Sequence, residues 1–126
     1  NSKICPSGWH VPSDDEWTIL TNIIGGVSNA GIKLKTTSGW YNDGNGTDEY
    51  GFSAHPSGLR SWGNGEFSDE NRSCIWWSTT EHEDVENEKE KVASDAWYRV
   101  LGYDYDQIIR FFNDKRYGVS IRCIKD

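Results

Sequence analysis

Residues that commonly carry out catalysis or bind metals are few and scattered in this sequence. The three histidines, His10, His55 and His82, lack the spacing of zinc ligands. No serine lies in the motif of a nucleophile elbow, and no Ser-His-Asp context is present. The sequence therefore predicts a protein that is not an enzyme and that requires no cofactor.

One acidic, glycine-rich turn offers the hard oxygen ligands that Ca²⁺ prefers. Within residues 43–49, Asp43, Asn45 and Asp48 are the candidate ligands for this ion. The spacing departs from an EF-hand, since no glutamate stands at the twelfth position of the loop. The alternative is an ordinary turn, in which Asn and Asp side chains hydrogen-bond to the nearby backbone. Both interpretations stay open at the level of sequence.

The stretch 98–117 is rich in aromatic and aliphatic residues and predicts a binding face. Successive side chains of a strand point to opposite faces, so Tyr98 and Val100 are expected to lie opposite Arg99 and Leu101. The predicted ligand-contacting residues are Tyr98, Val100, Tyr105, Ile109, Phe111, Phe112, Asp114 and Tyr117. The alternative is an ordinary pair of aromatic strands whose apolar residues belong to the core.

The elements that must position these side chains are short. Ser13 and Glu16 have capping-box spacing, and the apolar stripe that follows predicts a helix over about 14–24. Gly25-Gly26 ends this helix, and a weaker signal suggests a further helical turn at 33–37. The remaining chain alternates short aromatic segments with Gly, Asn, Asp and Ser, as short strands and structured loops do.

Strands are predicted over 96–101, 108–112 and 117–124, and the charged stretch 81–95 is predicted to be a loop without chemistry. These elements predict a single α+β domain over 1–126, with short antiparallel strands, long structured loops and one clear N-terminal helix.

Charge and hydropathy exclude several partners. The chain has 13 Lys and Arg against 20 Asp and Glu, a formal net charge of −7, which argues against nucleic acid and anionic lipid as partners. No apolar run reaches the length of a membrane span, so we expect no direct membrane insertion by this domain. The chain opens abruptly at Asn1, as a fragment or a processed product would.

The three cysteines are Cys5, Cys74 and Cys123, of which the outer two lie near the chain ends. A bridge between those two would close a loop of over a hundred residues and stabilise the fold by roughly 4–5 kcal/mol in the chain-entropy model. Such a bridge requires an oxidising compartment. Cys74 is then left over, either as a small buried hydrophobe or as a free reactive thiol.

Six segments follow one another along the chain: 5–13 (CPSGWHVPS), 31–35 (GIKLK), 50–54 (YGFSA), 76–81 (WWSTTE), 96–99 (AWYR) and 117–123 (YGVSIRC). Together they resemble the Fibrobacter succinogenes major paralogous domain, a family of exported bacterial proteins. The resemblance implies a C-type-lectin-like fold of the kind found in formylglycine-generating enzymes. The family's terminal cysteines match Cys5 and Cys123. The paired cysteines of those enzymes have no match here, because Cys74 lacks a close sequence partner.

The stretch 98–117 also resembles the variable region of proteins diversified by retroelements, which mutate adenines. Mutation of an Asn codon in this way yields Tyr, Val, Gly, Ile, Phe or Asp, but neither Glu nor Lys. The stretch has no Glu and one Lys, whereas 81–95 has seven Glu or Lys. This contrast favours a diversified binding face, and the aromatic core strand remains the alternative.

The sequence thus predicts a non-enzymatic binding module of an exported bacterial surface protein, such as a lipoprotein, held at the outer membrane through a parent chain. Its expected partner is a protein or glycan ligand on another cell or on a host surface. The alternative is a structural or adhesive unit of an envelope protein without a dedicated site. The two hypotheses differ in whether the side chains of 98–117 are exposed, because large exposed apolar patches mark interaction sites.

Overall fold

The computed structural model describes residues 4–83 and 94–126 and shows an α+β domain. The sheets in this part of the chain are small and antiparallel, as predicted. In chain order the elements are β1 (Trp9–His10), α1 (Asp14–Ile23), α2 (Val27–Leu34), a 3-10 turn (Tyr41–Asp43), β2 (Leu59–Arg60), β3 (Phe67–Ser68), β4 (Ser73–His82), β5 (Asp95–Gly102), β6 (Ile109–Asp114) and β7 (Ile124–Lys125).

Helix α1 begins at the predicted capping box. The Glu16 amide donates to Ser13 Oγ at 3.2 Å, and the Ser13 amide donates to Glu16 Oε2 at 2.8 Å. These two bonds satisfy two backbone donors at the start of the helix. The helix ends at Ile23, followed by Gly25 and Gly26 with positive φ of 124° and 83°. The prediction of a helix over about 14–24 is confirmed, because strong local signals define both of its ends.

The predicted helical turn at 33–37 is wrong. A second helix spans Val27–Leu34, and Lys35 leaves it in an extended conformation with ψ of 142°. Helix α2 therefore begins directly after Gly26 and ends where the turn was expected to begin. Its start lacks a side-chain cap, since its N-cap is Gly26, so no local pattern marked it.

A three-stranded antiparallel sheet in the order β4-β5-β6 positions the stretch 98–117. The strands predicted over 96–101 and 108–112 are confirmed as β5 and β6, except that β6 begins one residue later, at Ile109. The strand predicted over 117–124 is wrong, because that segment makes isolated bridges from Gly118 to Arg60 and from Ser120 to Trp76. Only its last residue, Ile124, is in a strand, which pairs with β1. The backbone bonds of this segment are thus divided among three different neighbours.

The charged stretch 81–95 is not a loop throughout. Glu81 and His82 complete β4 and pair with Ala96 and Asp95 at the start of β5, after a register shift that follows Trp77. The middle of the predicted loop, 84–93, lies outside the described residues. The charged side chains at the ends of the stretch are compatible with strands because this end of the hairpin faces solvent.

The core lies between the helices and one face of the sheet, here called the core face, which carries Cys74, Trp76, Arg99 and Leu101. The Trp17 ring of α1 stacks on Trp76 with 5.6 Å between centroids. Cys74 is 2% exposed, and burial raises the pKa of its thiol to about 11. This residue is therefore the small buried hydrophobe, and not the reactive thiol, of the two alternatives.

The two ends of the domain are joined by a disulfide between Cys5 and Cys123, as the family resemblance implied. The two Cα atoms are 5.8 Å apart, and β1 pairs with β7 next to the bridge. The bridge closes almost the entire chain into one loop. Among the described residues no helix is long and apolar enough to cross a membrane.

Candidate ligand-binding face

The face of the sheet opposite the core face carries a row of aromatic rings. Residues paired across antiparallel strands share a face, and Trp77, Tyr98 and Phe111 are paired across β4, β5 and β6. The Trp77 and Tyr98 ring centroids lie 5.6 Å apart, and those of Tyr98 and Phe111 lie 6.1 Å apart, both edge to face. This edge-to-face geometry is a favourable one for aromatic pairs.

A second row on the same side consists of Ile75, Val100 and Ile109, which are paired across β4, β5 and β6, and its Ile75 end is buried. Ile109 and Phe111 of β6 are 40% and 53% exposed. In β5, Tyr98 and Val100 are half-buried, whereas Arg99 and Leu101 on the core face are at most 2% exposed. The alternation predicted for β5 is therefore seen in the burial of its side chains. We call the set Trp77, Tyr98, Val100, Tyr105, Ile109 and Phe111 the aromatic face.

Tyr105 joins this face because Gly102 leaves room for its ring. A Cβ atom at Gly102 would lie 2.2 Å from the Tyr105 ring, so no larger residue fits beneath it. The buried ammonium of Lys35 donates to the carbonyls of Gly102 and Tyr105, at 3.1 and 3.2 Å, and fixes the turn between β5 and β6. Burial raises the pKa of Tyr105 to about 12, so its hydroxyl is neutral and can donate a hydrogen bond.

Tyr98 lies in a similar environment. Burial raises the pKa of its phenol, the Asn113 side chain opposes this rise, and the neighbouring Tyr117 adds to it. Tyr98 also interacts electrostatically with Tyr105. The structure thus brings three of the predicted tyrosines near one another beside the exposed Phe111. The hydroxyl groups of Tyr98 and Tyr105 stay protonated over the ordinary pH range.

Two predicted contact residues do not share this face. Phe112 is paired with Trp97, and its ring stacks on His82 at 3.6 Å between centroids. Asp114 binds the Arg116 guanidinium, whose Nε donates to it at 2.9 Å, and these hydrogen bonds lower the pKa of Asp114 to about 2. Consecutive residues of a strand point to opposite sides, so Phe112 starts from the side opposite Phe111, although the two rings stack with 5.2 Å between centroids. The prediction that Phe112 and Asp114 contact a ligand stays a prediction.

The core face holds a charge network that supports β5 and β6. Asp14, at the first turn of α1, accepts hydrogen bonds from Arg99 Nη1 at 2.6 Å and from Arg110 Nη2 at 2.8 Å. Arg99 also donates to the Asp14 carbonyl and to Thr18. Burial by itself would raise the pKa of Asp14, but the two guanidinium groups hold it below its usual range. Arg110 lies over the Trp97 ring at 3.4 Å.

The family model of the Fibrobacter succinogenes major domain matches residues 1–125. The chain belongs to this family. The match covers all seven strands and both helices described above, so the Fibrobacter succinogenes major domain includes the aromatic face as well as the disulfide. Neither a curated protein nor a solved structure matches the chain.

In this Fibrobacter succinogenes major domain the turn at 43–49 is held by internal hydrogen bonds. Asn45 Nδ2 donates to Asp43 Oδ1 at 2.9 Å, while Asn45 Oδ1 accepts from the Trp40 amide. The Asp48 carboxylate accepts from the Ser53 amide and hydroxyl at 2.7 and 2.9 Å. Within residues 4–83 and 94–126, no group of three His, Cys, Asp or Glu is placed to hold a metal ion. Calcium binding through Asp43, Asn45 and Asp48 stays a prediction.

Sequence reasoning overlooked one member of the aromatic face. Trp77 lies two strands from Phe111 and outside the stretch 98–117, although its ring contacts Tyr98. The alternation of side chains along β4 could have predicted the position of Trp77. Trp76 packs in the core at 4% exposure, so its neighbour Trp77 must point to the other side.

Proposed function

We propose that this domain is a non-enzymatic ligand-binding module of an exported bacterial surface protein, with a C-type-lectin-like fold. The ligand is a protein or a glycan on another cell or on a host surface, and it binds to the aromatic face. The observation that carries the proposal is the placement of Tyr98, Ile109 and Phe111 on one side of the sheet, away from the helices.

The chemistry of this face suits macromolecular recognition. Aromatic rings offer a large, rigid contact area at a small cost in conformational entropy, and neutral tyrosine hydroxyls add hydrogen bonds. Ile109 and Phe111 provide exposed apolar area that a ligand would bury. Flat rings of this kind stack on the apolar face of a sugar as well as on apolar side chains of a protein.

The division between the two faces also supports diversification of the stretch 98–117 by a retroelement. Tyr98, Val100 and Tyr105 on the aromatic face are residue types that adenine mutation can produce. Their neighbours on the core face must stay constant, because Arg99 is buried and hydrogen-bonded to Asp14 and Leu101 packs in the hydrophobic core. We therefore expect a reverse transcriptase gene and a near-copy of this coding segment beside the gene.

The binding proposal is tested by screening the purified domain against glycan arrays and against intact cells. The variant Tyr98→Ser/Phe111→Ser removes two rings of the aromatic face. The control Ile19→Ser removes an exposed apolar side chain from α1, which packs on the core face. Loss of binding in the double variant, with binding retained in the control, supports the proposal. Equal binding by both variants and the native domain contradicts it and favours the structural or adhesive unit.

A further inference from the structure

A cavity of about 300 Å³ opens between α1 and the C-terminal segment, separate from the aromatic face. Its walls are almost entirely apolar. They include Pro12, Trp17, Leu20, Ile23, Phe52 and Ile124. At its mouth, Ile19 and Ile23 of α1 are 58% and 76% exposed, which is unusual for two large aliphatic side chains one turn apart. The size and apolar lining are those of a small-molecule site at the lower end of the usual range.

One cationic group lies at the rim of this cavity without an ion-pair partner among the described residues. The Arg122 guanidinium lies over the Phe52 ring at 3.8 Å and is half-buried. Among residues 4–83 and 94–126, no carboxylate forms an ion pair with Arg122 and no acceptor lies within hydrogen-bonding distance of its side chain. The guanidinium nitrogens are not among the buried unpartnered atoms of the described residues, so they stay open to an anion that binds at the rim.

The nearby carboxylates are already engaged by other groups. Glu16 lines the cavity, but its oxygens accept hydrogen bonds from the Ser13 amide and contact the His10 ring at 2.8 Å. Asp48 attracts Arg122 at longer range, while its two oxygens accept hydrogen bonds from Ser53. The rim therefore offers a positive charge with free donors, next to an apolar cavity.

We infer that this cavity binds an apolar monocarboxylate of the size of a medium-chain fatty acid. The aliphatic tail lies against Trp17, Leu20 and Ile124, and the carboxylate accepts hydrogen bonds from the Arg122 guanidinium. Guanidinium–carboxylate pairs form two parallel, charge-assisted hydrogen bonds, which orient the ligand with its tail inward. This site does not depend on the aromatic face or on its ligand.

The test is isothermal titration calorimetry with octanoate and octan-1-ol, below the concentrations at which either aggregates. The two ligands share an alkyl chain and differ in charge. We expect saturable binding of octanoate to one site, with an affinity at least about tenfold higher than that of octan-1-ol, since hydrogen bonds to charged groups are worth about 1.5–3 kcal/mol. Arg122→Gln should lower the affinity for octanoate to that for octan-1-ol.

The matched control is Arg116→Gln, because Arg116 also lies over an aromatic ring, that of Trp62 at 3.7 Å, but does not line the cavity. Its affinity for octanoate should equal that of the native domain. A second variant, Ile23→Ser, changes an exposed wall residue without disturbing the core and should weaken both ligands equally. It keeps the test decisive if Arg122→Gln fails to fold.

Four results overturn the inference. Equal affinities for octanoate and octan-1-ol would show a cavity that accepts any apolar group, such as a side chain of a partner protein. An equal loss of octanoate binding in Arg122→Gln and Arg116→Gln would show a general effect of net charge. Binding that does not saturate, or that Ile23→Ser leaves unchanged, would place the ligand elsewhere.

Discussion

The two faces of the three-stranded sheet share strand β5 but differ in what they bury. On one side of β5, Arg99 is buried to 2% and forms charge-assisted hydrogen bonds with Asp14. On the other side, Tyr98 packs between Trp77 and a phenylalanine that is 53% exposed. The core face thus holds a buried charge with its partners, and the aromatic face leaves apolar area in water. At these positions of the sheet, a charged residue with buried partners is therefore more deeply buried than an apolar residue that lacks a cover.

The largest expected effect comes from breaking the charge network of the core face. Asp14→Ala should lower the free energy of unfolding by about 3–5 kcal/mol, because the guanidinium of Arg99 stays buried without its carboxylate. Asp15→Ala is the control, since Asp15 is the next residue of the same helix but is exposed. Urea unfolding measures both variants. Similar small losses in the two would mean that the network adds little to the core face.

A smaller effect should separate the two adjacent phenylalanines. Phe112→Ser should destabilise the domain by about 1–3 kcal/mol, because this half-buried ring packs on His82 and Trp97. Phe111→Ser should cost less than about 1 kcal/mol, because its ring is mostly in solvent. Thermal unfolding of each single variant decides the comparison. If Phe111→Ser proves the more destabilising, the aromatic face is a second core and not a binding surface.

The charge network should also give the core face a pH dependence that the aromatic face lacks. The folded pKa of Asp14 is lowered, so its contribution is complete above the unfolded carboxyl pKa of about 3.9 and is lost as pH falls through the lower folded pKa. The difference in unfolding free energy between the native domain and Asp14→Asn should therefore shrink as pH falls below about 4. Asp15→Asn is the matched control, because Asp15 is the next residue of the same helix, and an equal pH dependence in both variants would argue against the network.

The smallest expected effect concerns the turn at 43–49, which lies outside the strands of both faces. A Ca²⁺ ion bound by Asp43, Asn45 and Asp48 must replace the hydrogen bonds from Ser53, so binding is weak. Millimolar Ca²⁺ should raise the melting temperature by a few degrees at most, and a chelator should reverse the rise. Asp48→Asn should abolish the shift. If Ca²⁺ does not change the melting temperature of the native domain, the turn is an ordinary turn and not a calcium site.

Local patterns in the sequence predicted those parts of the fold that local interactions determine. The capping box at Ser13 predicted the start of α1, and strand alternation predicted that Tyr98 and Arg99 lie on opposite faces. The same rule was not applied to Phe111 and Phe112, because the stretch 98–117 was selected by residue type. The network between Asp14 and Arg99 joins residues 85 positions apart, and no local pattern reports a pairing at that distance.

Helix α2 and the division of the segment 117–124 among three neighbours had no sequence signal for the same reason. The sequence also did not show which glycines are required for close packing. Gly102 is needed only because the Tyr105 ring folds back over it. Gly31 is needed because the Gln107 carbonyl lies 2.3 Å from the position of its absent Cβ atom. These requirements arise from tertiary packing, which places distant segments in contact.

The joined ends of the domain determine how it responds to mechanical tension. A force that pulls on the flanks of Cys5 and Cys123 passes through the covalent bridge, since the two Cα atoms are only 5.8 Å apart. The chain between them, including β4, β5 and β6, lies outside the path of the load. Tension applied through the two ends would therefore pass by this domain, and the geometry of the aromatic face would not change under the pull. In the surface protein proposed above, flow or an attached cell would supply such tension.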